Sequence, residues 1–432
     1  MWDQLPELIL TQIFGHLDHA DRASVGEVCP AWNRALSSPV LWRSVAVVID
    51  RDLSDDFPPA TILTTKYGQH MRSLELAFSR PYISPRSLHR VKLMCSAPAS
   101  AGADFLAIVR AKDVQLRQLT LTNWAFAYNR GTLLNALARF LRGQRNLETL
   151  CLLNAEFGVA DVLRVLGVLA KESREHLASL DLRGAFRMSR WQVPHDNRRY
   201  LGLLSHFHSL SLLKLDYPAL SNHVLYVLAS NASKTLKNLH IFVRNSDSRQ
   251  HMLADTAWRN LSSACPDLTV SYTIVNISHY EDIYYLLLPS LPLAKFHMFS
   301  GHVWDQSRSR NFRSTIGLLI TQYTNTLVEV MLQLRNNRES LDDLLVSMLI
   351  RCKRLVRLQY DGIIRSLETL REICQLQVEH KTRFKTIHVK PRDINIQNRA
   401  VLYEINYQYD RKMHEQGIDF RVEDPTSILF FY

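Results

Sequence analysis

One spacing recurs along most of this chain: apolar, two residues, apolar, one residue, apolar. It stands at Met71/Leu74/Leu76, Leu116/Leu119/Leu121, Leu147/Leu150/Leu152, Leu177/Leu180/Leu182, Leu210/Leu213/Leu215 and Leu236/Leu239/Ile241. It continues at Cys265/Leu268/Val270, Leu293/Phe296/Met298, Leu327/Val330/Leu332, Leu355/Leu358/Tyr360 and Phe384/Ile387/Val389. Apart from a longer first step, from Leu74 to Leu119, the middle residues succeed one another at a period of roughly 30. Between the steps, Leu133, Leu134, Leu137, Phe140 and Leu141 share a helical face. So do Val162, Leu163, Leu166 and Leu169, and later Leu341, Leu344, Leu345, Met348 and Leu349. A single short strand plus one helix cannot bury its own apolar faces, so neighbours must stack around a continuous core. A doubly wound α/β sheet would instead show long Val/Ile runs and a Gly-rich first turn, and neither is here.

A strand and a helix at this period are the long form of the leucine-rich repeat. The expected fold is therefore α/β, a solenoid with parallel strands on the concave side and helices on the convex side. About eleven repeats are expected over residues 46–390, followed by a capping repeat and tail over 391–432. In the cap, Leu402, Ile405, Tyr409 and Met413 share a helical face, and Ile418, Phe420 and Val422 alternate as a strand. The apolar tail Ser427–Tyr432 is expected to pack back onto the array. The small-residue stretch Ser96–Ala103 reads as an exposed loop. Around residues 265–300 the leucine ladder gives way to alternation at Leu268, Val270 and Tyr272.

Residues 1–45 follow a different pattern. Leu5, Leu8, Ile9, Ile13, Phe14 and Leu17 have helical spacing, and Pro6 is tolerated in a first turn. Asp18 is a candidate cap for a second helix, with Asp21 three residues on and Val25 and Val28 as its stripe. Pro30 opens a third helix carrying Trp32 and Leu36, and Pro39, Leu41 and Trp42 close the unit. Three helices in about 40 residues make too little core to stand alone. They must bury apolar surface against the rest of the chain or against another protein.

The order Leu5-Pro6-Glu7, Ile13-Phe14, Leu17, Asp21, Val28-Cys29, Trp32 and Leu41-Trp42 closely resembles the F-box. Leu8 and Pro30 depart from that family's usual acidic and basic residues. In the family the motif docks on the Skp1 adaptor of cullin-based ubiquitin ligases. The resemblance implies docking and hydrophobic roles for Leu5, Pro6, Leu8, Ile9, Ile13, Phe14, Leu17, Val28 and Trp32. An F-box followed by leucine-rich repeats looks like a substrate-recognition subunit of an SCF-type ligase. Within the family, Leu5-Pro6-Glu7-Leu8, Ser209–Leu215 and Asn336–Asp342 carry a likeness to the group of F-box only protein thirty-nine. The partners implied are Skp1, through it a cullin, and a target protein held by the repeats. In ligases of this kind the ubiquitin chemistry belongs to other subunits.

Motifs for catalysis are missing: no HExxH, no P-loop, no GxGxxG and no GxSxG. His206 and His208 lack further ligands at zinc spacing, so neither a metal nor a cofactor is expected. The apolar runs Val45–Ile49 and Tyr284–Leu288 are far shorter than the roughly 18–20 residues that a membrane helix needs. Trp2, Asp3 and Gln4 do not open a secretory leader. The six cysteines form no CxxC pair, which points to reduced thiols in the cytoplasm or nucleus.

Strand side chains alternate, so residues between the buried ladder positions face outward from the sheet. That geometry nominates Asp181, Arg183, Lys214, Asp216, His240, Phe242, His297, Phe299, Gln333, Gln359, Asp361, His388 and Lys390 as candidates for target binding. Basic clusters at Arg198-Arg199, Arg308–Arg313, Arg351–Arg357 and Lys381–Lys385, with a net charge of +11, suit an acidic or phosphorylated target. The bland reading of those clusters is solvated helix faces, with Glu339, Asp342 and Asp343 interleaved. The alternative function is a repeat scaffold or RNA-binding protein without a ligase role, and nucleic acid is the less favoured partner.

Overall fold

The computed structural model describes residues 5–17, 19–54, 57–79, 96–126, 130–187, 193–247, 251–277, 279–300 and 311–423. Asp18, Cys95, Arg308–Arg310 and the apolar tail lie outside these residues. The chain divides into two compact units, Met1–Lys214 and Leu215–Tyr432.

The first unit opens with helices α1 (Glu7–Phe14), α2 (His19–Gly26) and α3 (Pro30–Leu36), then a 3₁₀ turn over Pro39–Trp42. Pro6 immediately precedes α1, Pro30 begins α3 and Pro39 begins the turn, all positions where a missing N–H costs nothing. Strands β1 (Ser44–Val48), β2 (Ser73–Ala77), β3 (Gln118–Thr122), β4 (Thr149–Leu153), β5 (Ser179–Asp181) and β6 (Leu212–Asp216) follow, with β6 spanning the unit boundary. Neighbours in chain order pair parallel throughout β1–β6. Leu74, Leu119, Leu150, Leu180 and Leu213 lie in one register row, all fully buried. β1 adds a step ahead of the first one read from the sequence: Trp42, Val45 and Val47 keep the ladder spacing, and Val45 pairs Leu74.

Helices α4 (Ile49–Asp52), α5 (Pro59–Tyr67), α6 (Ser96–Ala111), α7 (Arg130–Leu141), α8 (Val159–Glu172) and α9 (Arg198–Leu204) cover this sheet. The expected exposed loop at Ser96–Ala103 is instead the start of α6. Part of its small-residue run is packing surface. Ala99 and Ala103 are buried, and a Cβ on Gly102 would stand 3.1 Å from Leu133 and 3.2 Å from Ile49. Small side chains let α6 lie close to α7, and that contact outweighs the low helix propensity of Ser and Gly.

The strands end in left-handed corners, where Asn123 (φ 61°), Asn154 (φ 52°) and Gly184 (φ 63°) succeed one another a repeat apart. Asn and Gly tolerate this backbone best. Each amide of the first two bonds the neighbouring repeat: Asn123 N–H donates to the Leu153 carbonyl at 2.9 Å, and Asn154 N–H to that of Arg183 at 3.0 Å. Buried amide side chains do similar work. Gln144 donates to the Val114 carbonyl and accepts from Leu116 N–H, both at 2.7 Å.

The second unit carries β7 (Asn238–Arg244), β8 (Thr269–Val275), β9 (Leu293–Ser300), β10 (Glu329–Leu334), β11 (Arg357–Ile363), β12 (Thr386–Arg392) and β13 (Asp419–Val422). Again each strand pairs parallel with the next. Its helices are α10 (Asn222–Asn231), α11 (Asp255–Ala264), α12 (Tyr280–Tyr284), α13 (Phe312–Gln322), α14 (Asp342–Arg351), α15 (Glu368–Val378) and α16 (Ile396–Glu415). Here the ladder needs correction. Leu268 lies before β8, and Val270 stands opposite Leu239. On the other side of β8, Val270 pairs Leu293 and Ser271 pairs Lys295, so Ala294 is an extra residue in a bulge. From there Tyr272, Phe296, Val330, Leu358, Ile387 and Phe420 form one row. In α16, Leu402, Ile405, Tyr409 and Met413 are buried as expected, while Ile396, Tyr403 and Tyr407 are exposed.

Candidate functional site

Helix α1 is apolar on two faces. Leu10 and Phe14 point inward, where they pack with Ala35, Leu36, Leu41, Trp42, Leu63 and Tyr67. Leu5, Leu17 and Trp32 are half-buried against that cluster, with the Trp32 ring edge-on to Phe14 at 5.5 Å. Trp42 stacks on Tyr67 at 4.5 Å and donates its indole N–H to the Leu36 carbonyl at 2.5 Å. The opposite side of the module stays open to solvent: Leu8 is 69% exposed, Ile9 40%, Ile13 39% and Val28 60%. Pro6 is exposed beside them. Leu8 and Val40 also line an open groove of about 870 Å³, with Glu7, Thr11, His16 and Arg43 among its walls. A helix that is hydrophobic all round normally has partners all round. In this chain α1 has them on one side.

The turn from α1 into α2 is held by a residue that the apolar pattern does not reveal. Arg22 is buried; it donates to the carbonyls of Phe14 at 3.1 Å, Leu41 at 2.7 Å and Gly15 at 3.3 Å, and lies 5.5 Å above the Trp42 ring. A cation suits the carbonyl end of a helix.

The outward strand rows carry carboxylates sunk at the base of cations. In the first unit, buried Asp181 accepts from Arg183 at 2.6–3.0 Å and lies 3.5 Å from Lys214 on the adjoining strand. Burial alone would raise the Asp181 carboxyl, yet the bonds from Arg183 hold it below its ordinary value. The nearby Cys151 thiol is pushed up to about 12, by burial first and by Asp181 second, which suits packing and not nucleophilic chemistry. In the second unit, Asp216 pairs with Arg244 at 2.9 Å, and buried Asp361 takes a two-pronged bond from Arg392, one arm at 2.8 Å. His388 reaches Asp419 at 2.8 Å and Gln359 at 3.3 Å. Glu329 is the most heavily engaged: Lys295 lies at 3.2 Å, His297 at 3.0 Å and Arg357 at 3.3 Å. The bond from His297, against the pull of burial, holds the Glu329 carboxyl down to about 2.

A depressed carboxyl contributes stability above its unfolded value and loses it as protons compete. The Glu329 contribution is therefore complete above about pH 4.5 and falls away between about 4.5 and 2. Glu329→Gln is expected to flatten the loss of thermal stability across that window relative to wild type, as read by circular dichroism melts at stepped pH. Parallel curves would refute it.

Residues 2–47 match the family described as F-box-like. Of the curated relatives, F-box/LRR-repeat protein 8 of Bos taurus is 26% identical over 73% of this chain and 80% of its own length. F-box/LRR-repeat protein 21 of Mus musculus is 24% identical over 62% of this chain and 58% of its own. Among solved structures, the crystal structure of a TLR13–ssRNA13 complex aligns at a TM-score of 0.35 and 13% identity, over 86% of this chain and 52% of that one.

The chain is an F-box-like module followed by leucine-rich repeats.

On the F-box-like module, the predicted docking residues split in two. Pro6, Leu8, Ile9, Ile13 and Val28 are exposed. Phe14 belongs to the core, with Leu5, Leu17 and Trp32 packed against it. Of the repeat candidates, Asp181, Asp216, Asp361 and Lys390 are buried, and Arg183, Lys214, His240, Phe242, His297, Phe299, Gln333, Gln359 and His388 are half-buried. Register brings Asp181 beside Lys214, Gln359 beside His388, and Asp361 between Gln333 and Lys390. It separates His240 from His297: His240 pairs Ser271, while Phe242 pairs Thr273 and so shares the His297 row. Lys295, Glu329, Arg244 and Arg392 were missed, and Arg357 entered only with the basic cluster Arg351–Arg357, not as a strand residue. Among these, Lys295, Glu329 and Arg357 share one sequence position. Each immediately precedes the middle apolar residue of its repeat, a position that the same alternation also turns outward. Among the described residues no cluster of His, Cys, Asp and Glu is arranged to hold a metal, and no helix is long and apolar enough to cross a membrane. The five described cysteines are free thiols.

Proposed function

We propose that this protein is a non-catalytic substrate-recognition adaptor of an SCF-type E3 ubiquitin ligase. The F-box-like module binds Skp1, and through it a cullin, while the repeats hold a target protein. The observation that carries this reading is the second apolar face of α1. Leu8, Ile9 and Ile13, with Val28, offer side chains of the kind that anchor protein interfaces, and the described residues leave them exposed. The work such a protein does is positional: it raises the effective concentration of a target near the group that transfers ubiquitin. Free, unpaired cysteines support a cytoplasmic or nuclear setting.

The test is direct. Full-length protein mixed with purified Skp1 should elute as a one-to-one complex on size exclusion. Separate elution of the two at micromolar concentration would overturn the assignment and favour a repeat scaffold without a ligase role.

A further inference from the structure

The strand face of the second unit is not uniformly charged. Asp216, Glu329, Asp361 and Asp419 interrupt it, each beneath its own cations. At two of these the paired charges come close to balance: Asp361 with Arg392, Asp419 with Arg421 and His388. Glu329 is different. Two permanent cations, Lys295 and Arg357, converge on this one carboxylate from the strands on either side, and His297 adds a third donor from the next row. Glu329 is also the one carboxylate among the described residues within ion-pair distance of either cation. One negative charge cannot neutralise both. The Glu329 side chain is sunk at 9% exposure, while those of Lys295 and Arg357 remain 39% and 47% exposed. The excess positive charge is thus presented outward and held in place from below. One pleat further along β9 from His297, half-exposed Phe299 lies on the same face.

We propose that Lys295 and Arg357, braced by Glu329 and His297, form the anchor that takes a carboxylate side chain from an acidic segment of the bound target protein, with Phe299 receiving an adjoining apolar residue. This rests on the reading of the repeats as the target-binding part of an adaptor, and it names the chemistry that they select. A protein segment fits better than a nucleic acid. A polynucleotide needs a cationic track that follows its evenly charged backbone, and here carboxylates on β10, β11 and β13 break the track. A single excess charge, flanked by an aromatic, suits one acidic side chain in a mixed sequence.

The probe is a fluorescein-labelled octaglutamate peptide, followed by anisotropy on the full chain at moderate salt. Lys295→Gln with Arg357→Gln should weaken binding about tenfold, whereas Arg351→Glu with Lys353→Glu on the helical side should leave it unchanged. Glu329→Gln gives the sharper result. It removes the competing internal carboxylate while keeping a hydrogen-bond acceptor, so the peptide should bind several-fold more tightly. A purely structural ion network predicts weaker or unaltered binding in that variant, and either outcome overturns the proposal. Equal loss from the helical-side variant would overturn it too, as bulk attraction. So would a uridine oligonucleotide of equal charge that displaces the peptide and depends on the same two cations, since it would assign the site to nucleic acid. Skp1 capture measured on the same samples separates the two readings. Peptide binding without Skp1 capture removes the adaptor and keeps the anchor, and the reverse removes the anchor alone.

Discussion

Ile9→Asp with Ile13→Asp is expected to weaken Skp1 capture by at least about 100-fold while shifting global stability by only about 1 kcal/mol. The two residues sit one helical turn apart on the uncovered side of α1, so neither charge enters the chain's own core. At an apolar interface both carboxylates would lose water, and that desolvation is the source of the loss. Titration calorimetry gives the affinity and a thermal melt the stability. Trp32 would be a poor choice for this experiment. Its contact with Phe14 ties it to the folded module, so Trp32→Ala mixes a binding effect with a packing defect. Undiminished capture by the double variant would remove the exposed face of α1 from the interface.

Arg22→Ala is expected to abolish capture by another route. The guanidinium donates to three carbonyls at the end of α1 and in the closing turn, and Arg22 itself is buried. The Phe14 carbonyl keeps the Leu17 N–H, but taking the cation away from the Leu41 and Gly15 oxygens should cost about 2–4 kcal/mol. The loss falls on the N-terminal helices. Hydrogen exchange should therefore show α1 and α2 opening while amides of β3 and β4, bonded within the repeat ladder, stay protected. Uniform deprotection of the whole chain, or none, would contradict this placement of Arg22. Together the two variants separate a surface that binds from a residue that lets the surface form.

The extent to which the chain could be read in advance follows from how local each signal is. The ladder was legible because each step holds its own apolar spacing, and eleven repetitions leave little room for accident. The helices α7, α8 and α14 were legible for the same reason. Ser96–Ala103 was misread because small residues look alike in a loop and in a close helix contact, and the contact with Leu133 and Ile49 lies in other repeats. Arg22 escaped notice because its value lies in carbonyls that converge only after three elements have packed. Phe14 looked like a docking residue because it shares a helix with Ile9 and Ile13. Its packing with Ala35, Leu36, Leu41 and Trp42, which meet only once the module has folded, turns it inward.

Two kinds of fact remain distinct. Periodic burial, the strand–helix alternation and the presence of a separate N-terminal helical module are properties of the amino-acid order, since the apolar spacing has one low-energy way of hiding itself. The bulge at Ala294, the offset of His240 from His297, and the meeting of Lys295 and Arg357 on Glu329 were decided by tertiary structure alone. The physical reason is register. Partners about 30 residues apart come together only when neighbouring strands align, and one inserted residue changes which side chains share a row.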